Sequence, residues 1–157
     1  MKRILIIFIL FGGIIARPLI STASECELFI PPLEGKPGQS IVIPVMIDRV
    51  DNLAGVKLVL SYDHKLLLFR SGSKTAQTDA LMHIVNDKKP GQLIVVMAGA
   101  RGIKGRDFPI LKLTFEIKEG LEGNHTTEIK VKEVQLMSDQ LKEIETKVVS
   151  NPITILP

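Results

Sequence analysis

His64, His83 and His125 are the only histidines in the chain. None has a second His, a Cys or a carboxylate at the spacing of a recurrent metal motif such as HExxH or CxxC, so no metal site is expected from them. His64 follows Asp63 in a turn-like stretch, and His125 lies in the turn Gly123-Asn124-His125-Thr126; both read as surface residues. No GxSxG nucleophile motif occurs. Gly99-Ala100-Arg101-Gly102-Ile103-Lys104-Gly105 is glycine-rich and carries two cations. It lacks the Walker spacing, and a strand pattern rather than a helix follows it, so it reads as a flexible inter-strand loop rather than a phosphate cradle. Asp48, Asp51, Asn52 and Asp63 flank two strand patterns. Loops could gather them around calcium, but turn chemistry accounts for each without a metal. A paired-carboxylate glycosidase would need a cleft and aromatic substrate platforms, and a small chain poor in aromatics supplies neither. Asn124-His125-Thr126 matches an N-glycosylation sequon. No catalytic residue, metal ligand or bound cofactor is expected.

The N-terminus carries an export signal. Met1-Lys2-Arg3 is basic, residues 4–16 are almost unbroken apolar, and Ser21-Thr22-Ala23 are small. The order basic, apolar, small marks residues 1–23 as a signal peptide cut before Ser24, leaving 24–157 as one domain. The apolar run is shorter than the roughly 20 residues of a spanning helix, so membrane contact is expected only through an uncleaved signal segment. The expected location is secreted, periplasmic or cell-surface. Residues 1–23 hold Lys2, Arg3 and Arg17 and no acid; of 20 basic and 17 acidic groups, the remainder therefore keeps 17 of each. Without net positive charge or a basic stripe, nucleic acid is not an expected partner. The single cysteine, Cys26, cannot close an internal disulfide. Glu25 stands where a lipidation signal needs a small residue.

The rest of the chain reads as strands. Short runs rich in Val, Ile and Leu alternate with Gly, Pro, Asn and Asp. The expected strands are residues 26–30, 40–47, 54–62, 65–69, 80–85, 92–98, 109–117, 126–136 and 143–155, the last broken near Asn151-Pro152 because proline cannot donate to a ladder. Such punctuation predicts an all-β, nine-stranded jelly-roll β-sandwich. In 54–62, Ala54, Val56, Leu58, Leu60 and Tyr62 share a core face, and Gly55, Lys57, Val59 and Ser61 share the other. Residues 92–98 differ: from Leu93 to Ala98 both faces are apolar. Such a strand either is covered on both sides or shows a sticky face to a partner. Ser138-Asp139-Gln140 reads as a hairpin turn or as part of one or two helical turns across 136–144.

Pro37-Gly38-Gln39-Ser40-Ile41-Val42-Ile43-Pro44-Val45, then Leu53-Ala54-Gly55 and Leu58-Val59-Leu60-Ser61-Tyr62-Asp63, with Leu66-Leu67 soon after, stand in a telling order. This order resembles the bacterial cohesin domain, in which a "PG..V.VPV" strand leads to an "LAG..L.L.YD...L" strand. Gly91-Gln92-Leu93-Ile94-Val95-Val96 and Leu111-Lys112-Leu113-Thr114-Phe115 resemble the family's middle and late strands, so the likeness spans about residues 25–156. The resemblance implies a jelly-roll sandwich, related to carbohydrate-binding modules, that binds a dockerin, a small helical module carrying its own calcium. It implies partner contacts from outward side chains of the third, fifth and sixth strands. These map to Gly55, Lys57 and Val59, to His83, and to Leu93, Val95 and Met97. Gly55 and Lys57 depart from the polar or acidic residues usual in enzyme-docking members, whereas Leu93, Val95 and Met97 keep the apolar character of a docking plateau.

Three functions follow as expectations. The first is a non-catalytic docking module for a dockerin-like partner, in polysaccharide degradation or cell-surface assembly. The second is a carbohydrate-binding module on the related fold. It is disfavoured because sugar platforms use exposed aromatic rings, and this chain has no Trp and a single Tyr62 patterned toward the core. The third is a structural subunit of an envelope secretion or pilus assembly.

Overall fold

The computed structural model describes residues 25–157; the expected signal peptide, 1–23, and its cleavage site lie outside the described residues. Eleven strands and no helix make up the described chain. They are β1 (Cys26–Ile30), β2 (Leu33–Gly35), β3 (Ser40–Ser61), β4 (Leu67–Ser73), β5 (Met82–Asn86), β6 (Gln92–Ile117), β7 (His125–Thr127), β8 (Lys130–Met137), β9 (Glu143–Ile144), β10 (Thr146–Ser150) and β11 (Ile153–Ile155).

Two long strands organise the sandwich. β3 and β6 pair antiparallel from Ser40↔Glu116 to Ser61↔Gln92. The first part of β3 and the last part of β6 lie in one layer, ordered β10-β1-β3-β6-β4. The second part of β3 and the first part of β6 form the other layer, with β8 and β9 beyond β3 and β5 beyond β6. A small third sheet, β2-β11-β7, completes the body.

A strand that serves both layers must change which side chains it turns inward. In β3 the inward set of the first part is odd-numbered (Ile41, Ile43, Val45, Ile47), and that of the second part is even-numbered (Val56, Leu58, Leu60). Register irregularities on either side of Leu53 make the switch, since one extra residue in a period-2 strand exchanges its faces. β6 has its own irregularity opposite Val45/Met46, where Ile110 and Leu111 are consecutive and both fully buried. The Ile110 carbonyl there accepts a hydrogen bond from the buried Thr78 hydroxyl at 3.0 Å. A bulge that leaves a carbonyl out of the ladder is thereby satisfied, as a buried polar group must be.

Inward side chains of both layers form one core cluster that includes Leu28, Ile43, Leu58, Leu93, Val95 and Phe115. Phe115 receives Tyr62 and Phe69 edge-on at ring-centroid distances of 5.0 and 5.4 Å. Cys26 is buried in β1, so the fold rests on packing and not on a cross-link. Burial pushes its thiol up to about 12, with the neighbouring Asp48 carboxylate adding to the rise.

Several boundaries differ from the sequence reading. The strands expected at 40–47 and 54–62 are one strand, as are those at 92–98 and 109–117. The glycine-rich segment 99–105, expected as a flexible loop, is part of β6: Ile103 pairs with Leu53 and Gly105 with Val50. Asn52 braces this crossing, donating to Asp139 Oδ1 at 2.6 Å and accepting from Asp139 N–H at 3.2 Å. The Gly102 amide donates to the other Asp139 oxygen at 3.3 Å. A side chain at Gly102 would run into Asn52. The run expected at 126–136 divides into β7 and β8, and that at 143–155 into β9, β10 and β11, with the break after Ser150 at Asn151-Pro152. Ser138-Asp139-Gln140 is a hairpin turn between β8 and β9, closed by Ser138 N–H donating to the Lys142 carbonyl at 2.8 Å.

Candidate docking face

The residues singled out from the sequence converge on the layer β8-β3-β6-β5. Directly paired residues in antiparallel strands point to the same side of a sheet, so the ladder assigns each facing. Gly55 lies between Met137 and Ala98, and Met82 follows Ala98. Lys57 lies between Gln135 and Val96, and Ile84 follows Val96. Val59 lies between Glu133 and Ile94, and Asn86 follows Ile94. These three rows make the outer surface, four strands wide.

The same ladder overturns the expected facing of Leu93, Val95 and Met97. They pair with Leu60, Leu58 and Val56, which are core residues of β3, and their own exposures are 0%, 0% and 1%. The outward set of β6 is Ile94, Val96 and Ala98 instead. His83 is corrected for the same reason. It pairs with Met97, faces inward, and is half-buried with Nε2 at 3.2 Å from the Gly72 carbonyl. Gly55, Lys57 and Val59 lie on the outer surface, each half-buried.

The surface has two chemical halves. On β6 and β5 it is apolar: Val96 is 43% exposed, Ile84 69% and Met82 76%. A shallow depression of about 110 Å³ is lined by Met82, His83, Ile84, Val96 and Ala98. On β8 the surface is polar, with Glu133 and Gln135. Lys57 Nζ and Glu133 Oε1 lie 2.6 Å apart, so the lysine at the centre is neutralised along the sheet. Both ends of that pair are well exposed, which keeps its contribution to stability small. Val96 had a signal in the sequence, the two-faced apolar run of 92–98, whereas Met82 and Ile84 lie outside it, in the strand expected at 80–85. The run alone does not say which of its two alternating sets lies outside.

The polar residues considered for other chemistry are engaged elsewhere. Asp48 accepts from the Glu27 and Arg49 amides at 2.8 and 2.6 Å, and Asp63 accepts from the Lys65 amide at 2.8 Å. No group of three or more His, Cys, Asp or Glu placed to hold a metal occurs among the described residues. His125 stands 3.0 Å from the Glu122 carbonyl within its turn, and His64 is exposed.

Comparison with known proteins places this geometry. No curated protein sequence matches the chain. The chain is similar in structure to the non-cellulosomal cohesin from the hyperthermophilic archaeon Archaeoglobus fulgidus, with TM-score 0.75 and 17% identity over 85% of this chain and 93% of that one. It is similar to the sixth cohesin of scaffoldin B from Acetivibrio cellulolyticus, solved in complex with a dockerin, with TM-score 0.73 and 20% identity over 85% and 99% of the two chains. A cohesin from Clostridium acetobutylicum solved in solution is similar at TM-score 0.73 and 18% identity, covering 84% of this chain and 91% of that one. At these identities the solved structures establish a shared fold. The sequence model of the cohesin domain matches residues 26–155, and with nearly all of the described chain so matched, this protein belongs to the cohesin family.

Proposed function

We propose that the chain is a non-catalytic docking module that binds a dockerin-type helical partner on the outer surface of the β8-β3-β6-β5 layer. The observation that carries this reading is the exposed apolar group Met82, Ile84, Val96 and Ala98 on adjacent strands. Exposed large apolar side chains that adjoin one another mark a contact surface, whereas scattered ones do not. Several structural neighbours, from Acetivibrio cellulolyticus and Clostridium thermocellum, were solved as cohesin–dockerin complexes, which supports the choice of partner. Calcium, in this reading, belongs to the partner. The leader-like residues 1–23 support work outside the cytoplasm, either in the periplasm or at the cell surface, in a polysaccharide-degrading or envelope assembly. The outward rows carry no aromatic ring, which leaves a sugar without a stacking platform.

The test is a calorimetric titration with calcium-loaded dockerin modules, beginning with those encoded by the source organism. Binding is expected, with loss on chelation of the partner's calcium. Val96→Asp should weaken it at least ~30-fold, the scale of a lost anchor of about 2 kcal/mol. Unchanged affinity in a folded Val96→Asp variant would move the contact to another surface.

A further inference from the structure

Of the four asparagines in the chain, three hold the fold and one does not. Asn52 braces the β6 crossing through Asp139, Asn86 Oδ1 accepts from the Lys88 amide at 3.1 Å, and the Asn151 amide group donates to the Ile30 carbonyl at 2.9 Å. The side chain of Asn124 bonds to nothing among the described residues and is exposed. Its backbone does not call for asparagine either. The positive φ that asparagine tolerates in turns falls on Gly120 (72°) and Gly123 (75°) instead. The segment between β6 and β7 stands clear of the body: a Cβ built at Gly120 or Gly123 meets nothing within 4 Å. Asn124 is also the one asparagine that opens a sequon, Asn124-His125-Thr126. Thr126, two residues on, is exposed in β7, a three-residue strand that pairs only with β11. Between them, His125 is held with Nε2 at 3.0 Å from the Glu122 carbonyl. The exposed carboxylate of Glu122, two residues before the asparagine, adds a charged handle.

We infer that Asn124 is an N-glycosylation site, modified by a transferase that draws on a polyprenyl-phosphate-linked saccharide. The inference rests on the work outside the cytoplasm proposed above, because such transfer takes place on exported chains. In the transfer, the Asn124 carboxamide nitrogen attacks the anomeric carbon of the donor saccharide. A C–N bond forms as the C–O bond to the donor phosphate breaks. The polyprenyl phosphate or diphosphate leaves, the amide proton passes to a base on the transferase, and nothing is oxidised or reduced. The enzyme reads the hydroxyl of the third sequon residue, so Asn124 and Thr126 must both be reachable from solvent, as they are. The glycan then stands beside the edge of the small sheet β2-β11-β7. It lies off the β8-β3-β6-β5 layer, so a partner docks with the glycan in place. A bulky hydrophilic group there also shields β7, an edge strand, from pairing with another chain.

Peptide mass spectrometry of the full chain, expressed in and purified from its source organism, tests this. Trypsin cuts after Lys118 and Lys130 and releases residues 119–130 with Asn124 inside. That peptide is expected to carry an added saccharide mass, located on Asn124 by fragmentation. Asn124→Gln and Thr126→Val should each abolish the added mass, whereas Thr126→Ser should retain it, since serine keeps the hydroxyl. Circular dichroism on each variant verifies that it is folded, and Thr126→Ala replaces Thr126→Val if the latter is not. Peptide 119–130 recovered only at its unmodified mass from exported protein overturns the inference and leaves export standing. Unmodified protein found only in the cytoplasm overturns both. A saccharide that persists on the peptide in Asn124→Gln, or in the folded valine or alanine variant, also overturns it. Docking plays no part in this readout, so its failure leaves the contact surface on β5 and β6 untouched.

Discussion

Val95 and Val96 are neighbours in one strand with opposite duties. Val95 is fully buried against Leu58, while Val96 is 43% exposed beside Lys57 and Ile84. An aspartate at 95 would place an unpaired carboxylate in the core, a severe defect, whereas the same change at 96 meets water. Val95→Asp should therefore leave no cooperative thermal transition, and Val96→Asp should melt within a few degrees of the parent. Leu60 is fully buried, and Leu60→Ala should cost about 2–5 kcal/mol in denaturant unfolding. The Cys26 thiol, pushed up from 9.0 to about 12 by burial and then by Asp48, gives a pH dependence with a definite sign. The folded state holds the neutral thiol more tightly than the unfolded state does. That contribution is complete below about pH 9 and is lost as pH rises toward 12. Unfolding midpoints should fall across this window, and Cys26→Ala should flatten that part of the profile.

At the scale of elements, β3 and β6 explain what the sequence showed and what it hid. The alternation in 54–62 was legible because Lys57 and Ser61 on one side contrast with Leu58 and Leu60 on the other. The phase of 92–98 was not, because six consecutive apolar residues offer no contrast. Only the pairing of Val95 with Leu58 and of Val96 with Lys57 decides it. The resemblance assigned outward positions to this strand one residue out of phase, and a one-residue slip turns every side chain to the other face. Residues 99–105 look like a loop because glycine is a turn residue. Here Gly102 lies close against Asn52, where β6 crosses between layers beside the Asn52–Asp139 pair. Gly102→Val would force Asn52 aside and break that brace, so it should lower the unfolding midpoint and speed amide exchange across 99–105 and 138–142. His83 shows the same limit. With Met82 and Ile84 on either side, its facing follows from its partner Met97, not from its own polarity.

The whole molecule offers two broad outer surfaces. On the β10-β1-β3-β6-β4 layer, Val42 and Leu68 are exposed, but Lys112, Arg70 and Glu116 interrupt them. On the opposite layer, Met82, Ile84, Val96 and Ala98 adjoin across β5 and β6. The family and the sandwich were legible from ordered strand motifs, because a buried core imposes its period on every strand. The contact surface was less so, since a partner imposes no comparable period on residues it covers. The most direct test is an amide chemical-shift map of the isotope-labelled protein during titration with a calcium-loaded dockerin module. The account predicts perturbations concentrated at residues 55–59, 82–86 and 94–98. Perturbations centred on Val42 and Leu68, with those segments unmoved, would contradict it.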